Sequence, residues 1–211
     1  PEQAVLRWMA DLDGASPDDL VTGFTQKTLR QWMRSHAGHR SFTVLRHPAA
    51  RAHAVFCERI LKTGPGHFSE IRKILRKSYR LPIPEGRPDA SYDRDAHYAA
   101  FTVFLEFLKA NLAGQTTVRV DASWATQMQV LQGYAQFALP DMILREEEIE
   151  VYLPALAQQL GHPDPITPSA SEPDTPFALG EIYDTRIEEL VSAIYQRDYI
   201  AFGFRAWNAA G

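Results

Sequence analysis

The chain has 211 residues, 45% of them hydrophobic and 23% charged, with a formal net charge of -4. This composition suits one domain with a buried core, residues 1–211, and argues against a disordered, collagen-like or membrane protein. No apolar run approaches the roughly 18 residues that span a bilayer, and Cys57, the single cysteine, rules out an internal disulfide or a multi-thiolate zinc site.

A reducing, cytoplasmic setting fits that cysteine usage, and no ligand cluster in the sequence implies a metal. The charge is unevenly spread: Arg46 to Arg87 holds ten Lys or Arg against three acids, and Asp141 to Glu189 holds twelve acids against two Arg. The first stretch suits an anionic ligand. Nucleic acid is not expected, because stacking aromatics are sparse among residues 59–87 and the chain is acidic as a whole.

Val5, Leu6, Met9 and Leu12 recur at helical spacing, and so do Leu29, Trp32 and Met33 after Thr25. Phe42-Thr43-Val44-Leu45 reads as a short buried strand. Pro48 suits a first helical turn, and helix formers continue from Ala49 to Leu61 until Gly64-Pro65-Gly66. Ser69 to Tyr79 predicts a basic helix, with Ile71, Ile74 and Leu75 as its apolar stripe and Arg72, Lys73, Arg76 and Lys77 opposite.

The proline-rich stretch Leu81 to Pro88 predicts an ordered loop. A core helix is expected over 95–112, a second buried strand at Met142 to Leu144, an amphipathic helix over 146–160, and a closing helix over 184–202. Residues 162–180 read as an exposed, proline-rich loop.

The segment Arg46-His47-Pro48-Ala49-Ala50-Arg51-Ala52-His53-Ala54 carries the chemistry. A strand ending in arginine, followed by a proline-initiated helix, places N–H donors at the carboxyl edge of a sheet, where anions bind. The alternative is that Arg46 only pairs with a carboxylate at a helix start.

The order Arg-x-Pro-x-x-Arg after a strand resembles the segment by which sulfotransferases of the membrane-associated and nodulation-protein type hold the 3′-phosphate of PAPS, the sulfate donor. Arg46, Pro48 and Arg51 match it, and Ala54 stands where that motif carries serine. Losing that hydroxyl costs about 0.5–1.5 kcal/mol, and His53 or a backbone amide is expected to compensate. Trp124 and Gln127 resemble the retained residues of a His-Trp-x-Pro-Gln segment. Ile143 to Glu147 is similar to an Ile-Gly-Lys-x-Glu turn, and Tyr195 to Phe204 is similar to the family's closing Tyr-x-x-Asp-Tyr-x-x-Phe-Gly-Tyr pattern. Taken one by one, the aromatics of these later segments read as core residues.

The resemblance implies an α/β, three-layer P-loop-like fold, helix-dominated, with a short parallel sheet flanked by helices. It implies PAPS as cofactor, PAP as product, and a carbohydrate or lipid-linked acceptor, with Arg46, Arg51 and His53 binding the nucleotide. It also implies a glycine-rich phosphosulfate loop upstream of the Arg46 strand. Nothing in Pro1 to Ser41 reads as one, so the fold is expected to be N-terminally incomplete. Lys62-Thr63-Gly64-Pro65-Gly66 has suitable letters but follows a helix. His36 and His39 are the histidines in the interval where the family places its base, each read as a surface residue, and the base stays open. An inactive relative that binds a nucleotide or another anionic ligand is the alternative function.

Overall fold

The computed structural model describes residues 2–168 and 174–208. In chain order the helices are α1 (Glu2–Leu12), α2 (Gln26–Ser35), α3 (Pro48–Val55), α4 (Ser69–Ser78), α5 (Arg94–Leu112), α6 (Gln127–Ala135), α7 (Ile149–Gln159), α8 (Leu179–Ile182), α9 (Thr185–Ile194) and α10 (Gln196–Phe202). The strands are β1 (Phe42–Leu45) and β2 (Met142–Arg145). This is a helix-dominated α/β fold, as the sequence predicts. The chain divides into two compact units, Pro1–Arg46 with Leu131–Glu172, and His47–Val130 with Pro173–Gly211.

In the first unit β1 and β2 pair in parallel, from Phe42 opposite Met142 to Leu45 opposite Arg145. Their entry is clamped by reciprocal bonds. Asp141 accepts the Ser41 N–H at 2.8 Å and the Ser41 hydroxyl at 3.0 Å, while the Asp141 N–H donates to Ser41 Oγ at 3.1 Å. Those donors hold the Asp141 carboxyl below its ordinary range. One apolar cluster covers the pair: Trp8 from α1 packs with Leu144 of β2 and with Ile149, Leu153 and Ala157 of α7. The Trp8 indole N–H donates to the Ile166 carbonyl at 2.8 Å, which removes the polar cost of burying the ring.

In the second unit α5 is buried on most of its circumference, as its phenylalanines and leucines require; Phe101, Phe104, Leu105 and Leu108 are fully enclosed. The helix expected over 49–61 forms, but its last six residues, Phe56–Leu61, widen into a π-helix. There the Lys62 N–H reaches the Cys57 carbonyl at 3.2 Å. The closing helix is also divided: α9 ends before Tyr195, which adopts φ -108° and ψ 28°, and α10 begins beyond it. Of the stretch 162–180, residues 169–173 lie outside the described residues, and Leu179 already opens α8.

Arg72 departs from the exposed cationic face that the sequence suggests. It is 5% exposed. Its guanidinium donates to the carbonyls of Ile60 and Leu61 at the end of the π-helix, and to those of Pro84 and Gly86 in the proline-rich loop. The reason lies in the backbone: a π-helix end and a proline-rich segment both leave carbonyls without helical partners, and arginine carries enough donors to serve both. Desolvation by burial lowers its pKa, and neighbouring Arg76 adds to that. Arg72→Met should therefore lower unfolding free energy by about 3 kcal/mol, taken as two charge-assisted bonds at about 1.5 kcal/mol each. Urea denaturation at unchanged slope measures this, and a change within about 0.5 kcal/mol, the usual surface range, contradicts it.

Candidate phosphate-binding segment and its supports

Arg46 is the residue that follows β1, so it leaves the sheet at a carboxyl edge, the edge at which ligands bind in open α/β sheets. Its Nε lies 2.8 Å from the Glu146 carboxylate, and the two side chains are 24% and 29% exposed. Glu146 follows β2, so parallel pairing brings the two strand ends, and hence the two charges, together. The ion pair is half-buried and fixes the guanidinium at the strand end. A carboxylate partner for Arg46 is what the plainer reading of the segment anticipates.

In the second unit, α3 opens with His47 as its N-cap. His47 Nδ1 accepts the Ala49 N–H at 3.1 Å, and His47 Nε2 bonds the Arg205 carbonyl at 2.8 Å. These bonds fit one neutral tautomer, Nε2 protonated and Nδ1 free to accept. Pro48 sits in the first turn, where its missing N–H costs nothing.

Arg51 lies one turn further along. Its guanidinium donates to the carbonyls of Ala125 and Ala122, at 2.8 Å for the latter. Burial lowers its pKa, partly opposed by Tyr195 and Asp198.

The segment that Arg51 grips is held from several sides. Trp124 is fully buried, its indole N–H donates to Asn111 Oδ1 at 2.8 Å, and its carbonyl accepts the Tyr195 hydroxyl at 3.0 Å. Asp198, completely enclosed, accepts the N–H groups of Gln127 and Met128 at 2.8 and 2.9 Å. A carboxylate facing the first amides of α6 satisfies donors that no helical carbonyl reaches, and it complements the helix dipole. Tyr199 and Phe204 pack edge-on against the His47 ring. The Gly203 backbone ends α10 in the left-handed region at φ 66°, where a side chain is disfavoured.

His53 and His97 are both buried, and their Nε2 atoms lie 3.0 Å apart. Desolvation pushes His97 down to about 4 and the neighbouring Cys57 thiol up to about 12. His53 is thus tied to His97, which sequence reading did not single out.

His36 and His39 are partly or fully exposed and rest against Trp32. They precede β1, whereas Arg46 follows it; four strand residues span on the order of 13 Å, so neither histidine stands at the Arg46 edge. Lys62 pairs with Asp174 at 2.8 Å, and Gly64 and Gly66, with φ 124° and 82°, make the turn into α4. Among the described residues, no strand precedes β1 and no helix is long and apolar enough to cross a membrane.

The sulfotransferase family is matched over residues 16–205, most of the chain, and the chain belongs to that family. Sulfuryl transfer is the chemistry that membership supports. No curated protein and no solved structure matches the chain.

Of the family-like segments, the closing one is the most informative, because its residues hold both His47 at the start of α3 and the backbone of Trp124, Gln127 and Met128. Asp198→Ala should strip two α6 amides of a charged acceptor and cost about 1.5–3 kcal/mol or more of stability. Thermal unfolding followed by circular dichroism measures the loss, and an unchanged melting temperature rejects this role.

Proposed function

We propose that the chain transfers a sulfuryl group from PAPS to a hydroxyl of a carbohydrate or lipid-linked acceptor, and that Arg46 and Arg51 bind the nucleotide phosphate. The observation that carries the reading is the placement of Arg46 directly after a buried parallel strand, its guanidinium steadied through Nε by Glu146. Oriented guanidinium donors at such an edge suit a phosphate dianion. Arg51 supplies a second cation from α3 and stays ordered because Ala122 and Ala125 hold its fork.

Transfer breaks the bond between sulfur and the 5′-phosphate oxygen and forms one between sulfur and the acceptor oxygen. The acceptor proton passes to a base, and PAP leaves carrying the electron pair of the broken bond. Cationic donors lower the barrier by stabilising charge on that leaving phosphate. The positions of His36 and His39 before β1 argue against either as this base. His53 is left out of the donor set, since its Nε2 is committed to His97.

One feature favours a second reading, a nucleotide-binding relative without turnover: Ala54 stands where the family segment carries serine. Calorimetric titration of PAP separates phosphate binding from turnover. PAP should bind, and Arg46→Ala should weaken it by about 1.5–3 kcal/mol, roughly 10- to 150-fold. Arg51→Ala should weaken it too and also lower the melting temperature, because the 122–125 carbonyls lose their partner. An unchanged dissociation constant in Arg46→Ala rejects the site. PAP binding without any PAPS-dependent transfer to hydroxyl acceptors favours the second reading.

A further inference from the structure

Three side chains that the proposed transfer does not use converge inside the second unit: His53 from α3, Cys57 from the π-helix and His97 from α5. All are buried, with exposures of 5%, 0% and 0%. The facing atoms are His53 Nε2, His97 Nε2 and Cys57 Sγ, separated by 3.0 Å between the nitrogens and by 3.6 and 3.9 Å from sulfur to each nitrogen. Two ligands at about 2.0–2.1 Å for nitrogen and about 2.3 Å for sulfur, held near tetrahedral angles, stand about 3.3 Å apart for a nitrogen pair and about 3.6 Å for a sulfur–nitrogen pair. The observed triangle is close to that. We propose that His53, Cys57 and His97 form a binding site for a d10 metal ion, zinc(II) or copper(I).

Several features beyond the distances support a ligand set. His97 turns its other ring nitrogen, Nδ1, to the Tyr92 hydroxyl at 3.2 Å, and such an outer partner fixes the tautomer and ring angle of a metal-bound imidazole. The Phe56, Phe101 and Phe177 rings lie edge-on or tilted against the two imidazoles and hold their planes. His53 and Cys57 are four residues apart at the junction where α3 widens into the π-helix, so both face one side of the helical segment. A cavity of 410 Å³, bordered by Cys57, Leu61, Lys62 and His67, lies beside the cluster.

Without an ion, one Nε2–H is shared between the two imidazoles. With an ion, both Nε2 lone pairs face it, His97 Nδ1–H donates to Tyr92, and the Cys57 thiol proton is released to solvent. One thiolate and two neutral imidazoles leave copper(I) uncharged overall, whereas zinc(II) keeps one positive charge, a difference that burial weighs against zinc. Soft thiolate coordination suits either ion.

The test uses the full chain, free of any histidine tag. Apo-protein is equilibrated with zinc(II), or with copper(I) under anaerobic reducing conditions, desalted, and its metal content measured by plasma mass spectrometry. One ion per chain and a raised melting temperature are expected. Cobalt(II), used as a spectroscopic probe, should give a thiolate-to-metal charge-transfer band that Cys57→Ala lacks. Cys57→Ala should lose at least tenfold in affinity, and Tyr92→Phe should lose about tenfold through the outer partner. Circular dichroism confirms that each variant folds; if Cys57→Ala does not, the wild-type cobalt spectrum decides. Retention of one ion and not the other identifies it. Substoichiometric content with both ions, a melting temperature that neither ion moves, or affinity unchanged in Cys57→Ala overturns the site.

Discussion

The carbonyls of Ala122 and Ala125 and the amides of Gln127 and Met128 set the problem that the second unit solves. Their segment connects the core helix α5 to α6 and runs beside Trp124, which is fully buried, so its backbone polar groups cannot all turn to water. Each buried one left unpaired costs about 1–3 kcal/mol. Arg51, Asp198 and Tyr195 come from α3, α10 and the break before α10, and each gives a side chain to that backbone. Tyr195, at the division of the closing helix, and Asp198, three residues beyond, both bond the segment.

The same device recurs at Arg72. There one guanidinium ties the end of the π-helix to the proline-rich loop, again by donating to carbonyls rather than by pairing with an acid. Exposed ion pairs such as Lys73 with Glu70 contribute little by comparison, since water screens them and ordering two long side chains is costly. A buried cation is stable in this arrangement only because several carbonyl dipoles stand in for its hydration shell. Apolar packing fills the interior, and these side chain to backbone bonds determine which loop lies against which helix.

The elements with strong local patterns were legible. The β-branched and aromatic run at Phe42–Leu45, the phenylalanines of α5 and the helical spacing of Leu190, Val191 and Ile194 each encode burial in their own sequence. The break at Tyr195 and the π-widening at Phe56–Leu61 were not, because neither carries a proline, a glycine or another local signal that would mark it. Arg72 reads as one more surface cation among its basic neighbours, and only the unsatisfied carbonyls of the π-helix and the proline-rich loop explain its burial. Arg46 was legible as a strand-end cation, and its pairing with Glu146 followed from the parallel register. His97 carries no local signal, standing as a single histidine in a helix of apolar residues. The spacing of His53 and Cys57 was visible, yet without the third member it has the look of ordinary helix composition.

Helix geometry bears on whether one short segment can serve both proposed purposes. Arg51 and His53 are two residues apart, a rotation of about 200° at 100° per residue, so they project to nearly opposite sides of α3. His53 and Cys57, four residues apart, share a side. The proposed phosphate contact from Arg51 and an inward-facing imidazole would therefore not compete. The small residues Ala49, Ala50 and Ala52 let α3 pack closely on its neighbours, which brings His53 within reach of His97. The affinity of the proposed phosphate site would then rest on Arg46 and Arg51.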